Sequence, residues 1–265
     1  MRVQKIDWYL SAGTEYDLEY DQVLVIRKIG TNSTSQVKIE IDGKYAGSII
    51  SYIAPIQKDT TNILPLLDLK DLFLVVPNGL KYKFDGSGTV RIQGELLKLD
   101  PGETIPADLL ARYKNQFYKY YEYKTATKDL GTDTAWGAGS EIEILSLTTE
   151  TNEKWIFNNI VRIEQSNVGT DAQKVAIRFY KNDIPLFNRE SSAGEEGIDM
   201  KAFLIESNKL EYFTLADWPI EIPGDNKLAV RAKNISGSSI SPPVSYTHLR
   251  AHETEADLVC RLLLE

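Results

Sequence analysis

Both histidines of the chain, His248 and His252, and its one cysteine, Cys260, lie beyond Val244. These are residue types that ligate metals and act as nucleophiles. His248 and His252 are four apart, so on a helix they share one face and could hold a single ion. The apolar, leucine-rich run from Ala256 to Glu265 suits an amphipathic helix. No thiol or carboxylate is spaced to close such a site, and His-x3-His alone is a weak signature. Elsewhere carboxylate chemistry remains possible, since paired Asp and Glu can cleave sugars. Glu195-Glu196, and Asp68 with Asp71, are candidate pairs. Glu195-Glu196 sits between Gly194 and Gly197, the composition of a solvated loop tip. Asp85-Gly86-Ser87-Gly88 offers oxygens to calcium but too few of them, and reads more simply as a hairpin turn.

The tail has a second reading. Val244 to Thr254, VSYTHLRAHET, resembles codon for codon a translated transposase-type sequencing adapter. Asp257 to Glu265 continues in the same frame as the adapter's next constant stretch. Read so, residues 244–265 lie outside the fold, exposed or as a stray helix, and contribute no site. The natural C-terminus then lies elsewhere. Residues 1–243 contain neither histidine nor cysteine. That excludes from them a Ser-His-Asp or Cys-His set, a histidine zinc site and a disulfide frame. No phosphate-binding Gly-x4-Gly-Lys loop or Gly-x-Gly-x-x-Gly fingerprint occurs, so no cofactor is implied.

Composition narrows the partners. The 265 residues carry 30 Lys and Arg against 38 Asp and Glu, a formal charge of −8. Without the tail the basic count falls from 30 to 28 and the acidic from 38 to 34, leaving −6. A mildly acidic chain lacks the electrostatic footprint of a nucleic-acid binder. No apolar run reaches membrane-spanning length, and Met1-Arg2-Val3-Gln4-Lys5 is not followed by a signal-peptide core. The length suits two domains.

Short strands separated by turn residues dominate the pattern. Gln22–Ile29 reads as a strand, and Val37-Lys-Ile-Glu-Ile41 alternates apolar with polar before the hairpin signal Asp42-Gly43. Leu72–Val76 is closed by Pro77-Asn78-Gly79; Leu80, Tyr82 and Phe84 alternate; Thr89–Gly94 follows. The second half is laid out similarly. Trp155-Ile-Phe and Ile160–Ile163 precede a polar turn, and Val175, Ile177 and Phe179 alternate up to Asn182-Asp183. Trp218-Pro-Ile-Glu-Ile222 meets Pro223-Gly224-Asp225, and Leu228, Val230 and Ala232 alternate in turn. The chain therefore reads as all-β, with two antiparallel, jelly-roll-like sandwiches at 1–105 and 141–243. Val37 would match Val175 and Pro77 would match Pro223.

Residues 106–140 join them. Pro106 suits a first helical turn, and a helix is predicted from Ala107 to about Lys124. Leu109, Leu110, Tyr113, Phe117, Tyr120 and Tyr121 fall on one of its faces. Such a stripe packs on its own domain or meets another protein, and tyrosine suits both. Tyr113, Phe117, Tyr120 and Tyr121 are the candidate partner-binding residues. Gly131 to Ser140, with Trp136 inside, reads as a glycine-rich linker.

The stretch from Leu145 to Ile163, with Lys154-Trp155-Ile156 at its centre, resembles a layout of tailed-phage and other viral structural proteins. Ile222-Pro-Gly-Asp-Asn-Lys-Leu-Ala-Val230 fits its later turn, and Ser236–Ile240 its polar end. The resemblance covers roughly residues 141–240 and, more weakly, 15–95. Two sandwiches joined by a helix also look like the double jelly roll of some capsid proteins. The resemblance implies a non-enzymatic virion component of tail, capsid or appendage that binds copies of itself or other virion proteins. Two other readings stay open. A sugar-binding jelly roll would stack glycans on Trp8, Trp136 or Trp218, and a glycosidase would set two carboxylates across a groove.

Overall fold

A computed structural model of the chain describes residues 1–33, 35–49, 66–128, 137–165, 174–186, 198–199, 220–240 and 245–254. The chain divides into two compact units, the first over Met1–Tyr123 together with His252–Thr254 and the second over Lys124–Ala251.

The first unit contains β1 (Arg2–Ser11), β2 (Glu15–Asp17), β3 (Gln22–Thr31), β4 (Val37–Ile41), β5 (Lys44–Ile49), β6 (Leu67–Asp68), β7 (Leu74–Val76), β8 (Lys81–Asp85) and β9 (Thr89–Lys98). They form two antiparallel sheets. One runs β1-β9-β3, with β6 and β7 sharing the far edge of β3; the other runs β2-β8-β4-β5. Counting eight strands and leaving β6 as an extension, this is the strand order of a jelly roll. Period-two alternation puts one face of each strand in the core. Val37, Ile39 and Ile41 are buried, with Ile39 opposite Phe84 and Ile41 opposite Tyr82. Asp42 (φ 52°) and Gly43 (φ 70°) both adopt left-handed φ, as a two-residue hairpin turn of matching twist requires. β3 is buried on both faces. Its Val23 and Val25 pack with Val75, Leu97 and Leu99 under Leu109 of helix α1 (Ala107–Asn115).

Two sequence expectations change here. The helix stops at Asn115 rather than near Lys124. Gln116 caps it and is fully buried, and after a short turn Lys119–Lys128 forms strand β10. The stretch Tyr120-Tyr121-Glu122-Tyr123-Lys124-Thr125 is rich in strand formers, and its aromatics fit either period. Asp85–Gly88 is also not a hairpin turn. It carries the chain from β8 in one sheet to β9 in the other.

The second unit begins within β10 and continues with β11 (Glu141–Thr148), β12 (Trp155–Gln165), β13 (Val175–Lys181), β14 (Ile184–Pro185), β15 (Ile198–Asp199), β16 (Ile220–Ile222), β17 (Lys227–Asn234) and β18 (Ser245–Thr254). Its sheets run β10-β18-β12-β16 and β11-β17-β13-β14, with β15 also on β13. With β15 left aside as β6 was, the order of the other eight strands corresponds to that of the first unit, β10 standing for β1 and β18 for β9. Register agrees as well: Ile177 faces Ala232 and Phe179 faces Val230, as Ile39 faces Phe84 and Ile41 faces Tyr82. Asn182 (φ 49°) and Asp183 (φ 63°) repeat the left-handed pair of Asp42-Gly43. Val37 and Val175 open β4 and β13, and Pro77 and Pro223 follow β7 and β16.

The tail's placement is a further correction. Ser245–Thr254 is neither a stray helix nor outside the sheets; it is the strand between β10 and β12. Jelly-roll order needs a strand in that slot, and Tyr246, Thr247 and Thr254 are good strand formers. In a strand, residues four apart lie about 13 Å from one another, so His248 and His252 lose the helical spacing that suits one ion. Cys260 lies outside the described residues, as do Trp136, Trp218 and Glu195-Glu196.

Candidate interaction surfaces

The four aromatics do not form one face. Tyr113 stands on α1 and meets Phe117, in the turn that follows, edge to face (5.3 Å between centroids, 83°). Lys44 Nζ lies 5.5 Å above the Phe117 ring. Tyr120 and Tyr121 are neighbours on β10 and point to opposite sides. Tyr120 packs edge to face on Tyr45 of β5 (5.2 Å, 83°), and Tyr121 is buried. Gly47, at φ 113°, lets β5 approach this backbone; a Cβ there would collide with the Tyr121 carbonyl oxygen. Tyr113, Phe117 and Tyr120 each keep part of their surface in solvent.

Two polar side chains that the sequence reading passed over tie this corner to the sheet. Gln116 Oε1 accepts from Val75 N–H (2.8 Å) and its Nε2 donates to Val75 O (2.9 Å). Arg112 donates from Nε to Phe73 O (2.7 Å) and from Nη2 to Lys119 O (3.2 Å). Burial draws the Arg112 guanidinium down to about 10, which leaves it charged at neutral pH. Neither residue has a local sequence signal, because Val75 and Phe73, whose backbone groups they serve, belong to a distant segment of the chain.

Strand β1 forms one edge of its sheet and carries an ion-paired face. Asp7 accepts from Arg91 Nε (2.8 Å), Arg91 Nη2 (2.7 Å) and Gln93 Nε2 (2.8 Å). The Arg91 bond, aided by Gln93, holds its carboxyl at about 2. Lys5 pairs with Glu95, and Arg27 approaches the same carboxylate at 3.4 Å. Val3 and Tyr9 on this face are 56% and 50% exposed.

A cleft of about 460 Å³ opens at one end of the first unit, lined by Arg2, Tyr20, Asp21, Lys98, Asp100 and Glu103 among others. Tyr20 is 88% exposed, and a Cβ on Gly79 would touch its ring. Asn78 Nδ2 donates to Tyr20 O (2.9 Å), which fixes the loop that presents the ring. Of the tryptophans named as stacking platforms, Trp8 is half-buried on β1. Trp155, on β12, is buried and donates from Nε1 to Glu153 (3.1 Å).

The carboxylates are mostly engaged. Asp68 accepts the Lys70 N–H (3.0 Å), and Asp85 pairs with Lys83 (2.6 Å), which holds its carboxyl below the usual range. In the second unit Glu141 takes Tyr180 Oη–H (2.7 Å) and Arg178 (3.2 Å), while Glu143 takes Lys227 (3.1 Å). Arg231 pairs with Asp183 and lies 4.3 Å over the Tyr180 ring. Burial first, then the bond to Glu141, pushes the Tyr180 hydroxyl up to about 12. Among the described residues no three His, Cys, Asp or Glu gather as a metal cage, and no helix is long and apolar enough to cross a membrane.

These features define an all-β protein of two sandwich units. No protein-family profile and no curated protein sequence matches the chain. Among solved structures it is similar to the infectious bursal disease virus VP2 subviral particle, at 10% identity over 96% of this chain and 72% of that one, with a TM-score of 0.28. It is also similar to BuGH86 in complex with neoagarooctaose (10% identity, 95% and 32% coverage, TM-score 0.23). A third similarity is to a β-porphyranase of glycoside hydrolase family 86 from the human gut bacterium Bacteroides plebeius (7%, 94% and 35%, 0.24). The chain spans about a third of the length of these two hydrolases. The fold class stands on the chain's own strands.

Proposed function

We propose that the chain is a non-enzymatic structural protein of a virion, a tail, capsid or appendage component that works by assembling with copies of itself or with other virion proteins. The observation that supports this most is the jelly-roll order written twice in one chain, which we read as an internal duplication. Jelly rolls of this order serve in capsids and in lectins alike. A duplicated sandwich presents two related sets of rigid faces and edges, which suits a building block better than a single cleft does. The mildly acidic surface points to protein rather than nucleic acid as the partner. A carbohydrate-binding module is the second reading. It is favoured by Tyr20, an exposed ring held beside a cleft with charged walls. Light scattering after size exclusion, over a concentration series and with glycans added, separates the two. Assembly predicts a mass that grows with concentration. A strict monomer at high micromolar concentration that binds a glycan, and loses it in Tyr20→Ala, would overturn the structural reading.

A further inference from the structure

The cleft at the end of the first unit is built on a turn that the chain contains twice. In Glu19-Tyr20-Asp21-Gln22, Gln22 N–H donates to Glu19 O (3.0 Å). In Glu150-Thr151-Asn152-Glu153, Glu153 N–H donates to Glu150 O (3.0 Å). The two turns follow β2 and β11 in matching register. Asp17 faces Lys81 as Thr148 faces Lys227, and Leu18 N–H donates to Leu80 O as Thr149 N–H does to Asn226 O. Tyr20 therefore corresponds to Thr151, and Gly79 to Asp225. Gly79 and Asp225 both take a left-handed φ (70° and 60°), so the backbone there does not demand glycine. The side chains differ. Thr151 Oγ1 donates to Asp225 (2.9 Å), whereas the Tyr20 ring lies against Gly79, where a Cβ would sit 2.9 Å from its Cδ1. The turn thus needs no aromatic residue, and a ring that is 88% exposed adds little to the core. Its backbone is nevertheless pinned, Tyr20 O by Asn78 Nδ2 (2.9 Å) and Asp21 O by Leu99 N–H (2.7 Å). The result is a fixed aromatic ring in the wall of a cleft of about 460 Å³.

We infer that this cleft binds a neutral pyranose stacked on Tyr20. It rests on the carbohydrate reading, names that reading's site and ligand class, and is compatible with assembly. One face of a sugar ring presents C–H bonds, whose partial positive charge suits the electron-rich face of tyrosine. Groups for the sugar hydroxyls stand around it: Asp21, Asp100 and Glu103 to accept, Arg2 and Lys98 to donate. Lys98 pairs with Asp21 (3.2 Å), and the Met1 ammonium with Asp100 (2.7 Å) and Glu103 (2.6 Å). These pairs do not exhaust them. The side chains of Asp21, Lys98, Asp100 and Glu103 are between 39% and 60% exposed, and a paired carboxylate keeps further lone pairs. Because both signs line the cleft, a charged ligand meets a like charge whichever sign it carries, and a neutral polyol meets none. The volume falls in the range of about 300–1,000 Å³ typical of small-molecule sites. A ligand of about a dozen non-hydrogen atoms in so open a cleft binds with a Kd on the order of 1 mM. Assembled copies raise that affinity by avidity.

Saturation-transfer NMR on the full chain tests this. The probes are the methyl pyranosides of glucose, galactose and mannose, with glucuronic acid and glucosamine as charged controls. Transfer to the ring C–H protons of at least one neutral probe is expected, with a Kd on the order of 1 mM. Tyr20→Thr writes the second unit's turn into the first. It should weaken binding about tenfold or more and move the thermal midpoint by no more than about 2 °C, as an exposed substitution does. Tyr20→Phe keeps the ring and should bind as the unaltered chain does. Absence of transfer to every neutral probe at tens of millimolar overturns the inference. Binding that survives Tyr20→Thr puts the sugar elsewhere, which overturns this site and leaves the carbohydrate reading standing. Tighter binding of either charged control overturns the ligand class. A midpoint that falls by several degrees in Tyr20→Thr shows that the ring serves the fold, and overturns its assignment to a ligand. Light scattering of the same samples reports assembly separately, so the assembly reading stands or falls on its own.

Discussion

Gln116 presents its amide to Val75 as a strand would, accepting the N–H and donating to the carbonyl. β7 is three residues long and lies on the outer edge of β3, so without this side chain one buried donor and one buried acceptor lose their partners. An unsatisfied buried polar group costs about 1–3 kcal/mol. Gln116→Leu keeps the bulk, and its expected cost is about 3 kcal/mol, measured as a fall on the order of 10 °C in the first unit's thermal midpoint. Asp7 gives a second test at this scale. Its carboxyl is held at about 2 first by the Arg91 bond. A carboxylate depressed on folding adds stability above its unfolded pKa of about 3.9 and loses it as pH falls towards 2. Arg91→Gln is expected to move the Asp7 midpoint towards the ordinary range in a carboxyl-detected NMR titration, while the Gln93 bond keeps part of the shift. An unmoved midpoint would show that Arg91 is not the cause.

Strands with strict alternation were legible as elements, and those that depend on distant pairing were not. Val37, Ile39 and Ile41, then Val175, Ile177 and Phe179, then Leu228, Val230 and Ala232 alternate in the sequence. The structure makes strands of all three and buries these residues, with Ala176, Tyr180 and Ala229 buried on the other face as well. Lys119–Lys128 did not announce itself, because its tyrosines satisfy helical and strand spacing together and only the sheet decides. Asp85–Gly88 has hairpin composition, yet which sheet receives the next strand is a long-range outcome. The buried roles of Gln116 and Arg112 were invisible for the same reason. The tail shows origin and position to be separate questions: adapter-like residues occupy the slot that corresponds to β9. Removing residues 244–265 leaves β10 and β12 without the strand between them. The expected outcome is a lower thermal midpoint for the second unit, by several degrees or more. No change in calorimetry would place the tail outside the fold.

For the whole molecule, net charge decides how specific any association is. The chain carries −8 near neutral pH and has a sequence pI of about 5.0. Well above that pH, copies repel at long range, and only a contact that wins locally brings them together. Near pH 5 the repulsion vanishes and contacts of every kind become accessible. Static light scattering across pH should therefore give a positive second virial coefficient at pH 7–8 that falls through zero near pH 5. At pH 7–8 added salt should reduce that repulsion, since the screening length shortens from about 10 Å at 0.1 M to about 3 Å at 1 M. A strongly attractive coefficient at pH 8 and low salt would mean that apolar surface, rather than a selected contact, drives association.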